Sequence, residues 1–306
     1  IVSLNSGTDA SICGLAAIGV GIGDEVITPA NSFVASTAAI VHRKAKPVFI
    51  DVYPDQNLDP TLIEALITPK TRAIMPVHLT GRIADMKRIL EVADAFNIPV
   101  IEDAAQSAGS KYYGQFSGSW GRIGCFSAHP LKNLNAMGDA GFITTDDNKL
   151  ASKIKLIRNH GLVDRNSAKE FGESSRMDAI QAAILRYRLG RLPGVIERRR
   201  RNAALYYSKL NQHHVFIPAE KKHEFNTWHT FVIQAERRNE LKDFLQARGI
   251  ETAIHYPVPI HLQPAARHLG YKRGDLPVTE SQAEKILTLP IHQYLSERQI
   301  SYVSEW

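Results

Sequence analysis

Short apolar runs alternate with helical patterns along the first half of the chain, and this alternation limits the folds available to it. The apolar runs at 25–28, 47–52 and 72–77 are rich in Val and Ile. Between such runs lie segments such as 83–96, where apolar residues recur at helical spacing. Strands that alternate with helices form a mostly parallel sheet covered on both faces. We therefore expect an α/β fold whose ligands bind outside the carboxyl ends of the strands.

The pattern changes at about residue 192. Leu192-Pro193-Gly194 interrupts a helical pattern, and an extended, Pro-punctuated loop follows at 255–263. These features predict a large α/β domain over residues 1–191 and a smaller C-terminal α+β domain over residues 192–306. Residues 1–7 are typical of the end of a strand that runs straight into a turn. We therefore also expect that an N-terminal segment precedes this sequence.

Composition excludes several classes of protein. The chain has 306 residues, of which 44% are hydrophobic and 22% charged, as in ordinary globular proteins. No apolar run reaches the roughly 18 residues of a membrane span, and no signal-peptide pattern opens the sequence. Cys13 and Cys125 form neither a disulfide framework nor a metal-site spacing. These features predict a cytoplasmic protein with no membrane partner, and the net charge of +6 favours anionic, phosphate-bearing ligands.

The arginine run at 198–201 is the one local concentration of charge. Nucleic-acid binding is one interpretation of such a run, but no nucleic-acid motif accompanies it. The run lies in a helical pattern over 195–210, where Ala203, Ala204 and Tyr207 are expected to face inward. The arginines are then expected to face water or a partner subunit, and no nucleic-acid partner is predicted.

Lys132 lies in an unusual place, between an apolar run at 123–126 and another at 141–145. Burial disfavours the charged form of lysine, so a lysine in such a setting is a good nucleophile towards carbonyls. Asp103 ends a further apolar run, where a carboxylate can hold a pyridinium nitrogen protonated. The pair suggests pyridoxal phosphate held by Lys132 as a Schiff base.

Further residues along the same stretch are suited to this cofactor, although each alone is a weak signal. The segment 5–10 places glycine and hydroxyl groups at a helix start, which predicts either a phosphate cradle or a simple N-cap. Phe33 is suited to stacking on a flat ring or to the core, and Gln106 to contacting a ring hydroxyl. Ser127 is suited to binding phosphate, whereas His129 is a proton carrier, an orienting residue or a structural one. Their order along one α/β domain is the arrangement that pyridoxal phosphate needs.

The chain resembles the DegT/DnrJ/EryC1/StrS family of sugar aminotransferases, a branch of the aspartate aminotransferase fold (fold type I). The matching stretches follow the family's order and span nearly the whole sequence. They are Asn5-Ser6-Gly7-Thr8-Asp9-Ala10, Pro76-Val77-His78-Leu79, Glu102-Asp103-Ala104-Ala105-Gln106-Ser107, residues 127–141, Arg158-Asn159-His160-Gly161, Arg176-Met177-Asp178, Gln181-Ala182-Ala183, residues 255–264 and Leu289-Pro290-Ile291-His292.

The resemblance implies a role for each candidate residue. Lys132 would hold the cofactor covalently and shuttle a proton, and Asp103 would form a salt bridge with the pyridine nitrogen. Phe33 would stack on the ring, and Gln106 would lie near its phenolic oxygen. The residues expected to bind the phosphate are Gly7, Thr8 and Ser127.

The resemblance implies an obligate dimer in which the two chains share the active site. A partner's asparagine usually reaches the phosphate, and Ser174 takes the corresponding position in this sequence. Thr80 replaces a tyrosine often found after His78-Leu79, and Ala128 replaces an aromatic residue. We expect Thr80 and Ala128 to reshape the substrate pocket, and we expect Ser174 to alter the contact between subunits.

The resemblance implies transamination in two half-reactions, from an amino acid, with glutamate expected, to a keto-sugar carried on a nucleotide. One branch of the family carries histidine in place of the cofactor lysine and deoxygenates sugars, and Lys132 argues against that branch. A cofactor-binding sensor or regulator without catalysis is the alternative from another class, left open by Ser174. A nicotinamide oxidoreductase is disfavoured because the glycines at 19–23 follow a helix rather than a strand.

Overall fold

The computed structural model describes residues 1–306 and places most strands of the first two thirds of the chain in one mixed sheet. The elements of this part, in chain order, are β1 (Val2–Leu4), α1 (Gly7–Ala17), β2 (Glu25–Pro29), α2 (Val34–His42), β3 (Lys46–Ile50), α3 (Ile63–Leu66), β4 (Thr71–Ile74), α4 (Met86–Ala95), β5 (Ile101–Asp103), β6 (Lys111–Tyr112), β7 (Gln115–Phe116), β8 (Ile123–Ser127), β9 (Gly141–Thr144), α5 (Asn148–Ile157) and α6 (Ala179–Leu189).

Two sheets join edge to edge to form this layer. Strands β3, β2 and β4 pair in parallel, while β5, β8, β9 and β1 form the second group in that order. Parallel bridges between Ile74 and Val100 and between Val77 and Asp103 connect β4 to β5. Only β9 runs antiparallel to its neighbours β8 and β1. The expectation of an α/β fold with a mostly parallel sheet is therefore confirmed.

Helix α1 lies in the apolar core behind this sheet. Its residues from Ala10 to Ala17 are all buried, and both Cys13 on the helix and Cys125 on β8 are free and buried. A Cβ on Gly14 would lie 3.3 Å from the Cys125 sulfur, so the small residue lets the helix approach the strand closely. None of the helices in the protein combines the length and the apolar character that crossing a bilayer requires.

The C-terminal part has its own core around the antiparallel pair β11–β12. Its elements are α7 (Leu192–Lys209), β10 (Glu224–Phe225), β11 (Phe231–Gln234), α8 (Arg238–Gln246), α9 (Pro277–Lys285), β12 (Ile286–Leu289) and α10 (Glu297–Glu305). Strand β10 pairs with β6 across the predicted boundary. Buried polar contacts also cross it, including the ion pair of Arg82 with Glu224 at 2.5 Å. The division into residues 1–191 and 192–306 stays a prediction.

Helix α7 corrects two expectations. Leu192-Pro193-Gly194 forms its first turn instead of breaking the pattern, because proline fits the start of a helix, where its missing N–H would have no helical acceptor. Arg199, Ala203 and Tyr206 are buried at helical spacing, whereas Ala204 is exposed. The buried Arg199 guanidinium donates to the carbonyls of Trp228, His229 and Ile291. The arginine run therefore does not face water along its whole length.

A buried carboxylate fixes the carboxyl end of β5. Glu102 Oε2 accepts a hydrogen bond from His78 Nε2 at 2.8 Å, and both side chains are fully buried. The Ala84 N–H donates to His78 Nδ1 at 3.2 Å, so the ring proton lies on Nε2 and points at the carboxylate. The remaining donors to Glu102 are the backbone N–H groups of Gly118, Trp120 and Gly121. This network holds the strand end at which Asp103 follows.

We predict that Glu102→Ala lowers the free energy of unfolding by about 3–5 kcal/mol, because removing one partner of a buried pair leaves the other donors unsatisfied. Urea denaturation of the cofactor-free protein measures the change. The matched control is Glu251→Ala, which removes an exposed carboxylate and should cost less than about 0.5 kcal/mol. A loss for Glu102→Ala as small as that of the control would contradict the role of this network.

Candidate active site

A cavity of about 340 Å³ lies where the parallel strands of the main sheet end. Asp103 is the last residue of β5 and Ser127 the last of β8, and both line it. The start of α1 forms a second wall. The C-terminal part closes the cavity with His229, Thr230, His255 and Tyr256. Its position agrees with the general location of ligand sites in open α/β sheets.

Lys132 reaches this cavity from the loop between β8 and β9. Its side chain is half-buried, and Nζ makes neither a hydrogen bond nor an ion pair within the protein. Burial lowers the pKa of Lys132 below its usual value, and the negative charge of Asp103 only partly opposes this effect. The Lys132 amine thus has no hydrogen-bond or ion-pair partner within the protein and a lowered pKa.

Asp103 contributes the one buried carboxylate of the cavity. Its Oδ1 accepts a hydrogen bond from the Ala105 N–H at 3.1 Å, and its Oδ2 accepts one from Ser36 Oγ at 2.6 Å. Each carboxylate oxygen has two lone pairs, so further acceptor positions stay open on both. A cationic N–H of a bound ring is a suitable donor for them.

The start of α1 is shaped to receive an anion. Ser6 caps the helix by accepting from the Asp9 N–H at 3.1 Å, while the N–H groups of Gly7 and Thr8 have no helical carbonyl within reach. A Cβ on Gly7 would lie 2.5 Å from Cβ of Ser127. Glycine at this position therefore lets the helix start approach Ser127. The positive end of the helix dipole adds to the attraction for phosphate.

Phe33 and Gln106 lie farther along the cavity. Phe33 is the N-cap of α2 and remains 55% exposed, with its ring centroid 5.9 Å from that of Tyr256. Gln106 Oε1 accepts from the Thr80 N–H at 2.8 Å. The amide Nε2 of Gln106 is consequently the end that lies near the Tyr256 hydroxyl, at 3.5 Å. Gln106 therefore presents a hydrogen-bond donor to a ligand oxygen.

Sequence reasoning missed the residues that the C-terminal part brings to the cavity. Burial lowers the pKa of His229 well below 6.5, and the nearby charges of Lys132 and Arg199 act in the same direction. Burial and the charge of Asp103 raise the pKa of Tyr256 to about 12. His255 and Tyr256 lie in the loop that the sequence marks as extended, but no local pattern signals His229. Its position depends on the buried Arg199, which binds the His229 carbonyl.

The predicted cofactor-binding residues separate into two groups. Seven of them line the one cavity: Gly7, Thr8, Phe33, Asp103, Gln106, Ser127 and Lys132. Ser174 does not line it, and instead forms an exposed bridge with Asn159. The neighbouring Ser175 is buried and bonds to Asn5, which ties this segment to the start of α1. The individual roles of these residues stay predictions. His129 also lines the cavity, where its Nδ1 accepts from the Leu131 N–H at 3.2 Å.

Known proteins resemble this chain over its whole length. Residues 1–306 match the DegT/DnrJ/EryC1/StrS aminotransferase family. A relative in Geobacillus stearothermophilus named pleiotropic regulatory protein is 43% identical over 99% of this chain and 83% of its own length. A Streptomyces venezuelae protein named dTDP-3-amino-3,4,6-trideoxy-alpha-D-glucose transaminase is 42% identical over 100% of this chain and 82% of its own. The crystal structure of S. venezuelae DesV in complex with a ketimine intermediate superposes with a TM-score of 0.97 at 41% identity, covering 99% of this chain and 82% of DesV.

We predict that His229 makes the cofactor-free protein less stable in acid. Its pKa in the folded state lies well below 6.5, so below that pH the unfolded chain binds a proton that the folded chain does not. The stability is present above pH 6.5 and is lost as the pH falls, by up to about 1.4 kcal/mol per pH unit. His229→Gln should therefore flatten the fall in unfolding free energy between about pH 6.5 and pH 5.

Urea denaturation at a series of pH values tests this prediction. His214→Gln serves as the control, because His214 is exposed to solvent in the folded chain. An equal slope for His229→Gln and the wild type would show that His229 takes up its proton in the folded state. Only the slope is compared, since the substitution also changes packing.

Proposed function

The chain belongs to the DegT/DnrJ/EryC1/StrS aminotransferase family, and we propose that it transfers an amino group from an amino acid to a keto-sugar carried on a nucleotide. Glutamate is the expected donor. The observation that carries the proposal is the pairing, in one cavity, of the partner-free amine of Lys132 with the buried carboxylate of Asp103. Such a pair meets the needs of pyridoxal phosphate chemistry.

Pyridoxal phosphate is the cofactor of this family, and the cavity suits it at three places. The start of α1 and Ser127 both offer hydrogen-bond donors for the phosphate. They lie so close together that there is no room for a Cβ on Gly7. Asp103 offers an acceptor for the pyridine N–H. When bound, the cofactor supplies an aldehyde that condenses with amines and a protonated ring that withdraws electrons. Phe33 would cover the ring face, and the Gln106 amide would donate to the phenolic oxygen.

Two residues of the chain carry the chemistry in this proposal. Lys132 Nζ is the nucleophile towards the aldehyde, and its lowered pKa increases the share of neutral amine at physiological pH. With the cofactor bound, the same Nζ would also carry a proton from the reacting carbon of the substrate and return it. The Asp103 carboxylate would accept a hydrogen bond from the ring N–H and so favour the protonated form of the ring nitrogen.

Support for a nucleotide-linked sugar comes from the relatives. The Streptomyces venezuelae relative is named for a dTDP-sugar, and it aligns with the whole of this chain. The net charge of +6 suits a substrate with a diphosphate. Neither Thr80 nor Ala128 lines the cavity, and Ala128 is fully buried in an apolar cluster with Leu134 and Leu185, so the structure does not support the expectation that these two residues reshape the substrate pocket.

Regulation without catalysis is the second candidate, and the name of the Geobacillus stearothermophilus relative is the observation that favours it. The cavity does not separate the two candidates, because a sensor that holds the cofactor as a Schiff base also needs the Lys132 amine. Transfer of an amino group from glutamate to a keto-sugar separates the two candidates.

We further propose that the enzyme is a cytoplasmic homodimer with a shared site. Large apolar side chains are exposed near the cavity: Leu131 is 75% exposed, Met137 70% and Ile180 68%. A second copy of the chain that covers them would remove this surface from water. Ser174 lies outside the cavity of its own chain and is available to reach the phosphate of the partner. The buried, free Cys13 and Cys125 suit a reducing compartment.

Absorption spectroscopy tests the aminotransferase proposal. The purified chain with pyridoxal phosphate should show a near-visible band that glutamate converts to a band at shorter wavelength. Lys132→Ala should fold and lack the covalent band, whereas Lys155→Ala, which removes an exposed lysine on α5, should behave as the wild type. A Lys132→Ala enzyme that turns over at the wild-type rate would sink the assignment. A band unmoved by any amino donor would favour the regulator.

Complementation between subunits tests the shared site. Lys132→Ala and Ser174→Asp should each be inactive, the second because a carboxylate repels the phosphate. A mixed dimer of the two, purified through two different tags, should recover about half the wild-type activity, since one of its two sites is intact. The control pairs Lys132→Ala with Asp103→Ala, which damage both sites of a mixed dimer, and should recover none. Equal results for the two mixtures would contradict a shared site.

A further inference from the structure

A hydroxyl of helix α2 contacts the carboxylate of Asp103. Ser36 Oγ lies 2.6 Å from Asp103 Oδ2, and both side chains are buried, with Ser36 1% and Asp103 7% exposed. Ser32 Oγ lies 2.7 Å from Ser36 Oγ and is also buried. All three side chains line the cavity. Neither serine has a role in the proposed transamination chemistry.

The direction of these hydrogen bonds follows from chemistry. An ionised carboxylate only accepts, so the single hydroxyl proton of Ser36 points at Asp103. The contact between the serines is then donated by Ser32 to Ser36. The longer approach of Ser36 Oγ to the Phe33 carbonyl, at 3.3 Å, is left without a proton. Ser32, Ser36 and Asp103 form a chain of donors that ends on the carboxylate.

This chain restrains how the carboxylate can rotate. Asp103 has two protein donors, the Ala105 N–H on Oδ1 and the Ser36 hydroxyl on Oδ2, one on each oxygen. The Ala105 bond is local, two residues along the chain, and longer at 3.1 Å. Ser36 is distant in sequence and belongs to the helix whose N-cap is Phe33. The same helix start thus carries the candidate stacking ring and the group that orients the carboxylate.

We propose that Ser36, supported by Ser32, is a positioning residue that holds the Asp103 carboxylate towards the ring nitrogen of the cofactor. The inference rests on the proposed function, since it concerns the group that Asp103 is expected to bind. A hydroxyl donor to a carboxylate fixes its plane and also draws some negative charge from it. Orientation outweighs the second effect, because a neutral hydroxyl weakens an acceptor slightly whereas a rotated carboxylate loses its hydrogen bond to the ring.

The chain offers a matched control on the same helix. Thr37 follows Ser36, is 6% exposed, and its hydroxyl has no hydrogen-bond partner. Thr37→Val removes a buried hydroxyl of α2 and keeps the shape of the side chain. It therefore reports the effect of changing helix packing without touching Asp103.

The test compares cofactor binding and ring protonation in purified variants. The dissociation constant of pyridoxal phosphate is measured by titration of absorbance, and the pH at which the ring nitrogen loses its proton by NMR with ¹⁵N-labelled cofactor. Ser36→Ala should bind about tenfold more weakly, equivalent to about 1.4 kcal/mol. Its ring nitrogen should lose the proton at a pH lower by about one unit. Ser36→Thr, which keeps the hydroxyl, should restore both values, and Ser32→Ala should show a smaller shift in the same direction.

The outcomes are distinguishable from failure of the proposed function. If the wild type forms no covalent band with the cofactor, the proposed function fails before the serine is tested. If the wild type binds and Ser36→Ala equals Thr37→Val in both measurements, the positioning role is wrong. Weaker binding with an unchanged ring-proton titration would also overturn it, since that result describes packing alone. Should Ser36→Ala not fold, Ser32→Ala carries the same comparison.

Discussion

The end of strand β5 is the point on which the site depends. Neighbouring residues of a strand point to opposite faces of the sheet, so Glu102 and Asp103 leave the same strand end in opposite directions. Glu102 lies in the fully buried network with His78 and three backbone N–H groups. Asp103 enters the cavity, where a ligand can reach it. The fully hydrogen-bonded Glu102 carboxylate therefore fixes the backbone that positions Asp103, whose carboxylate keeps open acceptor positions. A carboxylate that is to bind a ligand needs open acceptor positions, so few hydrogen bonds hold it in place. For Asp103, the network of Glu102 provides the missing rigidity.

The other walls of the cavity are formed by the start of helix α1 and by a segment of the C-terminal part. Helix α1 begins against Ser127 because Gly7 has no Cβ to keep them apart. Within the C-terminal part, the buried guanidinium of Arg199 holds the segment that carries His229. It has no carboxylate partner, and burial lowers its pKa to about 10, yet it donates to the carbonyls of Trp228 and His229. The Arg199 guanidinium donates hydrogen bonds to three carbonyls, which an apolar side chain at this buried position could not do.

Sequence patterns predicted the parts of the site that local chemistry determines. Gly7 and Thr8 at a helix start, Asp103 at a strand end and Lys132 between two strands each have a physical reason to be noticed within a few residues. Ser36 and His229 have none, because Ser36 contacts Asp103, 67 positions away, and His229 shares the cavity with Lys132, 97 positions away. The short strand β10 was missed for the same reason, since it exists only through pairing with β6. Strands β6 and β7 pair locally but have two residues each, too few for an alternating pattern to show. Helix α7 was misread at Leu192 because proline is a break within a helix and a favourable start at its first turn.

The charges of the cavity connect these separate features. Without a ligand, burial lowers the pKa of Lys132, His229 and His255, and Asp103 is the one buried carboxylate among them. The cavity thus has more groups able to accept a proton than negative charges to balance them. A phosphate bound at the start of α1, as proposed, would supply the missing negative charge and by Coulomb attraction would favour the protonated forms of the nearby groups. Binding of an anion and uptake of protons would therefore be coupled in this cavity, because the groups that burial keeps neutral are those that an anion would help to charge.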